Sequence, residues 1–168
     1  MKGENVMIPT FAFAAFSGTG KTTLVEKVVV CLKESGLRVA VIKQDAHNIQ
    51  IDKEGKDSWR FAKAGADMTI VSGPEKTAII EHRERTLQDN LAVVHDVDVT
   101  LVEGYKNDGI PQIGICRKAT GLPLPGDPAR YAAIVTDDPE IQADCPMFDI
   151  NDAKGVAEFI KKEAGLCG

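Results

Sequence analysis

One run of small and hydroxylated residues, Ser17-Gly18-Thr19-Gly20-Lys21-Thr22-Thr23, carries the strongest chemical signal in the chain. Its two glycines free the backbone of Cβ atoms where a turn must expose consecutive N–H groups. A turn of this kind between an apolar strand and a helix forms an amide-lined concavity, and the helix adds its positive N-terminus. Such a hollow suits a polyphosphate. Lys21 then serves as a point charge on the β- and γ-phosphates, and the Thr22 hydroxyl ligates Mg²⁺. The pattern is that of a phosphate-binding P-loop, G-x-x-x-x-G-K-[ST], with Ala15 at its first position. Alanine fits there provided its φ is negative.

Three further polar positions fall at the carboxyl ends of apolar runs, where open α/β sheets place ligands. Glu103 closes Val99-Thr100-Leu101-Val102 as a Walker-B-like carboxylate. It either holds Mg²⁺ through water or orients the attacking water, and the Gly104 N–H is a candidate γ-phosphate sensor. Lys21 and Glu103 are therefore the predicted catalytic pair. Asp45 is a second candidate for the metal's outer shell. Asp137, in Thr136-Asp137-Asp138, is the predicted acceptor for guanine N1 and N2, since no N-K-x-D occurs in the chain. Lys43-Gln44-Asp45 imitates part of that motif but sits on the phosphate side. His47 lies in a polar loop and is read as surface. His82 and His95 belong to no metal-ligand pattern, and no Ser-His-Asp or Cys-His arrangement stands out. Lys106, Arg117, Lys118 and Arg130 are read as solvated loop charge, with no arginine finger evident.

The elements that must position these groups are legible from periodicity. An apolar strand is predicted over Val6–Phe16, with Pro9 restricting its ladder to the residues after it. A helix follows over Lys21–Ser35, burying Leu24, Val28, Cys31 and Leu32 and ended by Gly36. Arg38–Lys43 is the next strand, completing a βαβ unit. Gln44–Lys56 reads as a charged loop, after which Asp57 or Ser58 caps a short helix through Ala64. Met68–Val71 and Thr77–Glu81 read as a β-hairpin, and Arg85–His95 as a helix. Strands are expected over Asp98–Gly104, Gln112–Cys116 and Tyr131–Thr136, with a short one over Met147–Ile150. Arg117–Arg130 is rich in glycine and proline and is expected to be irregular. Asn151 or Asp152 caps a final helix whose buried side is Val156, Phe159 and Ile160. Strands alternating with helices predict an α/β, three-layer P-loop NTPase fold with a mostly parallel sheet and a β-hairpin extension.

Bulk properties narrow the function classes. At 168 residues the chain is long enough for a sizeable core, and residues 1–168 are read as a single nucleotide-binding domain. A formal charge of −5 argues against general nucleic-acid or anionic-membrane binding. Without a span-length apolar run or a signal-peptide pattern, the cytoplasm is the expected compartment. Cys31, Cys116, Cys145 and Cys167 form no C-x-x-C pair and are expected to be reduced.

With these pieces in place, the chain resembles the MobB family. The likeness rests on Phe16-Ser17-Gly18-Thr19-Gly20-Lys21-Thr22-Thr23-Leu24, on Val41-Ile42-Lys43 with His47 after it, and on Asp52-Lys53-Glu54-Gly55-Lys56-Asp57-Ser58. Lys63-Ala64-Gly65-Ala66, Leu101-Val102-Glu103-Gly104-Tyr105-Lys106 and Asp149-Ile150-Asn151-Asp152 complete it. The D-x-x-G-K-D-S and V-E-G-[YF]-K segments are far more specific than the P-loop. One departure is Gln44, where family members often carry histidine. The resemblance implies a GTP-binding accessory protein with Mg²⁺ and weak hydrolysis, and a homodimer whose sheet spans both subunits. It also implies a role assisting a MobA-type molybdenum cofactor guanylyltransferase, with molybdopterin as a further candidate ligand. The Met68–Glu81 hairpin supplies an edge suited to pairing with another chain. Two other classes compete. One is a small-molecule kinase or ATP-dependent ligase with Arg117–Arg130 as a lid; the other is a G-protein switch or a non-catalytic interaction module.

Overall fold

The computed structural model describes residues 7–44, 49, 51–104 and 109–167. The chain divides into two compact units, Met1–Gln44 with Ala92–Gly168, and Asp45–Leu91.

The first unit is built on a six-stranded sheet in the order β2-β5-β1-β6-β7-β8. The strands are β1 (Thr10–Ala14), β2 (Val39–Lys43), β5 (Val99–Glu103), β6 (Gln112–Cys116), β7 (Tyr131–Thr136) and β8 (Met147–Phe148). Every pairing in it is parallel. Parallel strands covered on both faces read as near-continuous apolar runs. All five residues of β5 are accordingly buried, as are Phe11, Ala12 and Phe13 of β1. On one face Phe11, Phe13, Leu101, Ile113 and Val135 pack with α1 (Lys21–Glu34) and α4 (Ala153–Glu163), which contribute Leu24, Val28, Leu32, Val156 and Ile160. A second cluster gathers Cys116, Tyr131, Ile134 and the loop residue Leu124.

The second unit contains α2 (Asp57–Lys63), an antiparallel hairpin of β3 (Met68–Ser72) and β4 (Thr77–Glu81), and α3 (Leu87–Leu91). The Asp52–Ser58 segment owes its spacing to a closed turn. Asp52 Oδ1 accepts from the Lys53 N–H at 2.9 Å and the Ser58 hydroxyl at 2.8 Å, while Gly55 adopts a left-handed φ of 84°.

Several element ends differ from expectation for local reasons. The first strand begins at Thr10, beyond the N–H-lacking Pro9, and stops at Ala14 because Phe16 turns back. Its carbonyl accepts from the Thr19 hydroxyl at 2.9 Å. Neither Asp57 nor Ser58 caps α2: the N-cap is Lys56 with no side-chain bond, and the Ser58 hydroxyl is engaged by Asp52. The helix expected over Arg85–His95 contracts to Leu87–Leu91. Thr86 and Asp89 exchange backbone and side-chain bonds at its start, and Glu81 draws Arg85 away. β8 ends at Phe148 because the Asp149 carboxylate accepts the Asn151 N–H at 2.8 Å, and Asp152, not Asn151, caps α4 through Gly155.

Candidate functional site

The loop between β1 and α1 holds the sequence-predicted phosphate cradle. Gly18 and Gly20 take φ values of 81° and 86°, conformations that a side chain disfavours. Ala15 does not need that freedom, since Asp96 is the one non-glycine with positive φ among the described residues. Thr19 is buried and bonded to the Phe16 carbonyl, so it braces the loop from within. Gly20 is the N-cap of α1 and offers no side-chain cap. The first-turn amides of a 14-residue helix therefore keep the hydrogen-bonding capacity that an anion would use. Ser17, Gly18, Thr22 and Thr23 are exposed around this turn.

Sheet register brings Glu103 to the same place. β1 and β5 pair with Phe13 opposite Glu103, which sets the carboxylate beside the start of α1. Glu103 is 7% exposed, and its Oε1 accepts from the Thr22 hydroxyl at 3.0 Å, with Lys21 Nζ at 3.8 Å. Gly104 follows with φ of 99°, and a Cβ there would lie 2.5 Å from the Gln44 carbonyl oxygen. The Gln44 N–H donates to the Glu103 carbonyl at 2.8 Å, so the ends of β2 and β5 are fastened together. Thr22 and Glu103 thus offer hard oxygen donors side by side. Among the described residues no group of three His, Cys, Asp or Glu side chains is arranged to hold a metal. That donor set fits Mg²⁺, which takes one or two protein oxygens and completes its octahedron with phosphate and water.

The other candidates fall elsewhere. Asp45, His47, Tyr105 and Lys106 lie outside the described residues. Asp137 sits just beyond β7, exposed, and its Oδ1 accepts the Lys118 N–H at 2.7 Å. It is not bonded to Lys21, Thr22 or Glu103.

Arg117 departs from the solvated loop charge expected of it. Its Nη2 would stand 3.5 Å from a Cβ on Gly20, and its Nε is buried without a hydrogen-bond partner among the described residues. β6 pairs directly with β1, Ala14 opposite Gly114, so the residue after β6 rises beside the phosphate loop. The signal available in the sequence was its place one residue past a strand's carboxyl end. Beside it, burial pushes the Cys116 thiol pKa up, with Asp138 and Asp137 adding to the shift.

The family MobB, molybdopterin guanine dinucleotide synthesis protein B, matches residues 10–137. The molybdopterin-guanine dinucleotide biosynthesis adapter protein of Haemophilus influenzae is 39% identical over 161 residues, spanning 94% of this chain and 90% of that protein. Its Escherichia coli counterpart is 40% identical over 162 residues, 92% of each chain. In fold, the crystal structure of Bacillus subtilis MobB superposes with a TM-score of 0.75 at 24% identity, covering 93% of this chain and 98% of that one. A MobB homologue from Bacillus stearothermophilus gives 0.66 at 23% identity, covering 93% and 97%. The chain belongs to the MobB family.

Proposed function

We propose that this protein binds GTP with Mg²⁺ at the β1–α1 loop and serves as an adapter in molybdopterin guanine dinucleotide synthesis, assisting a MobA-type guanylyltransferase. The observation that carries the reading is the convergence of the uncapped start of α1 with Lys21, Thr22 and the nearly buried Glu103. Loop and helix amides receive the phosphate oxygens, and Lys21 adds a fixed positive charge. Thr22 and Glu103 would hold the metal, which supplies charge neutralisation across the phosphates when bound. Glu103 would also orient a water for slow hydrolysis of the terminal phosphate. The adapter role is supported by the relatives, which carry the adapter name.

The kinase reading needs Arg117–Arg130 to move as a lid. That segment is anchored instead: Leu124 is buried, the Cys116 thiol donates to the Leu122 carbonyl at 3.1 Å, and the Tyr131 hydroxyl bonds the Pro125 carbonyl. Calorimetric titration tests the proposal. GTP with Mg²⁺ is expected to bind more tightly than ATP, and Lys21→Ala to abolish both while leaving the circular dichroism spectrum unchanged. ATP binding the more tightly, or undiminished GTP binding by Lys21→Ala, would overturn it.

A further inference from the structure

The two flanks of the phosphate loop carry different chemistry. Sheet order sets β5 on one side of β1 and β6 on the other. Glu103 reaches the loop from the β5 flank, where it meets Thr22 and Lys21. Arg117, the residue after β6, reaches it from the opposite flank. Its guanidinium stands against Gly20, where an added Cβ would lie 3.5 Å from Nη2 and 3.8 Å from Cζ. The backbone behind it is pinned. The Arg117 carbonyl accepts the Thr120 N–H at 3.0 Å and the Thr120 hydroxyl at 2.7 Å. Asp137 Oδ1 holds the next amide, that of Lys118, at 2.7 Å. The side chain is therefore aimed at the loop from a fixed origin.

Without an anion this placement is electrostatically unfavourable. Cations are favoured at helix C-termini and disfavoured at N-termini. Here Lys21 and Arg117 gather at the start of α1, whose first turn contains no acidic residue. Lys21 has Glu103 as its counter-ion, 3.8 Å away. Arg117 has no carboxylate at ion-pair distance among the described residues, and its Nε is buried without a hydrogen-bond acceptor. A buried donor left open in this way calls for a ligand that completes it. The guanidinium presents a planar fork that matches two oxygens of one phosphoryl group. We infer that Arg117 binds the phosphoryl group seated in the loop, the one that a nucleoside diphosphate and a triphosphate share; this rests on the triphosphate reading above. The metal donors Thr22 and Glu103 lie on the other flank, so Arg117 holds the nucleotide and does not act on its terminal phosphoryl.

Calorimetry with Mg²⁺ tests the inference on GTP, GDP and inorganic tripolyphosphate, for the unaltered protein, Arg117→Ala, Arg117→Lys and Lys21→Ala. Arg117→Ala should weaken all three ligands by a common factor of about tenfold or more, the scale of a lost charge-assisted bond. Arg117→Lys, a point charge without the fork, should recover part of that loss. Should Arg117→Ala fail to fold, Arg117→Lys alone decides, since it keeps the stem and charge and is still expected to bind GTP and GDP more weakly than arginine does. Four results would overturn the assignment. Undiminished GTP and GDP binding in both Arg117 variants removes the contact. Loss of GTP with GDP intact moves it to the terminal phosphoryl, and loss of nucleotide with tripolyphosphate intact moves it off the phosphates. Slower single-turnover hydrolysis with both affinities intact makes Arg117 a transition-state group instead. Retained GTP binding in Lys21→Ala would strike the triphosphate reading itself, whereas GTP bound normally by Arg117→Ala but lost in Lys21→Ala strikes this inference alone.

Discussion

Glu103 is a carboxylate with two neighbours of different kinds, a hydroxyl that donates to it and an ammonium at ion-pair distance. Glu103→Gln separates these roles. The amide keeps an oxygen for the Thr22 hydroxyl but loses the charge that would favour a metal or polarise a water. GTP affinity is expected to stay within about threefold, and turnover to fall by about a hundredfold, the scale of a lost general base. Single-turnover hydrolysis at saturating nucleotide measures this, and an unaltered rate would remove Glu103 from the chemistry. Residue identity alone pointed to Glu103, Lys21 and Thr22, because each belongs to a short contiguous motif. It did not distinguish the surroundings of Asp137 and Asp138, adjacent in sequence: Asp137 accepts the Lys118 N–H, and Asp138 faces the Lys118 ammonium. That distinction depends on the path of the chain after β7.

At the scale of elements, parallel pairing sends the carboxyl ends of β1, β5, β6 and β7 to one edge of the sheet, and the amino ends to the other. At that second edge Arg38 and Asp98, the residues just before β2 and β5, clamp the two strands. Asp98 Oδ2 accepts the Arg38 N–H at 2.6 Å, and Oδ1 accepts from Nη2 at 2.8 Å. The Arg38 side chain, then its backbone N–H, hold the Asp98 pKa at about 2, below the ordinary 3.8. A lowered carboxylate pKa contributes stability that is complete above 3.8 and is lost as pH falls towards about 2. Asp98→Asn should thus melt about 2–4 °C lower at pH 6, with the gap closing near pH 2, since the pair is solvent-screened. A gap independent of pH would refute the clamp. The same parallel architecture explains what periodicity revealed. β1, β5 and α1 were legible because burial on fixed faces imposes an apolar pattern that is local in sequence. The place of Arg117 was not, because it follows from β6 lying next to β1, a pairing across about 100 residues of chain. The shortened α3 was hidden for another reason, the competition of Glu81 and Asp89 for its first residues.

For the molecule as a whole, the second unit leaves apolar surface uncovered. Ile70 and Ile79 are cross-strand partners on one face of the hairpin, and they are 59% and 63% exposed, with Met68 beside them. A two-stranded sheet is marginal alone in water, so a second copy of the chain is the expected cover. Light scattering is expected to give twice the 18.1 kDa chain mass, and Ile79→Lys to give the single mass. A monomeric unaltered protein would exclude that pairing. Among the described residues no helix is long and apolar enough to cross a membrane.

The formal charge of the chain is −5, so at long range the chain as a whole repels an incoming nucleotide. Lys21 already has Glu103 as its counter-ion 3.8 Å away. A polyphosphate on this loop consequently swaps one anionic partner of the ammonium for another and leaves a carboxylate bare. Electroneutrality then favours a divalent cation travelling with the nucleotide: the two arrive most cheaply as a neutralised pair, and each raises the affinity of the other.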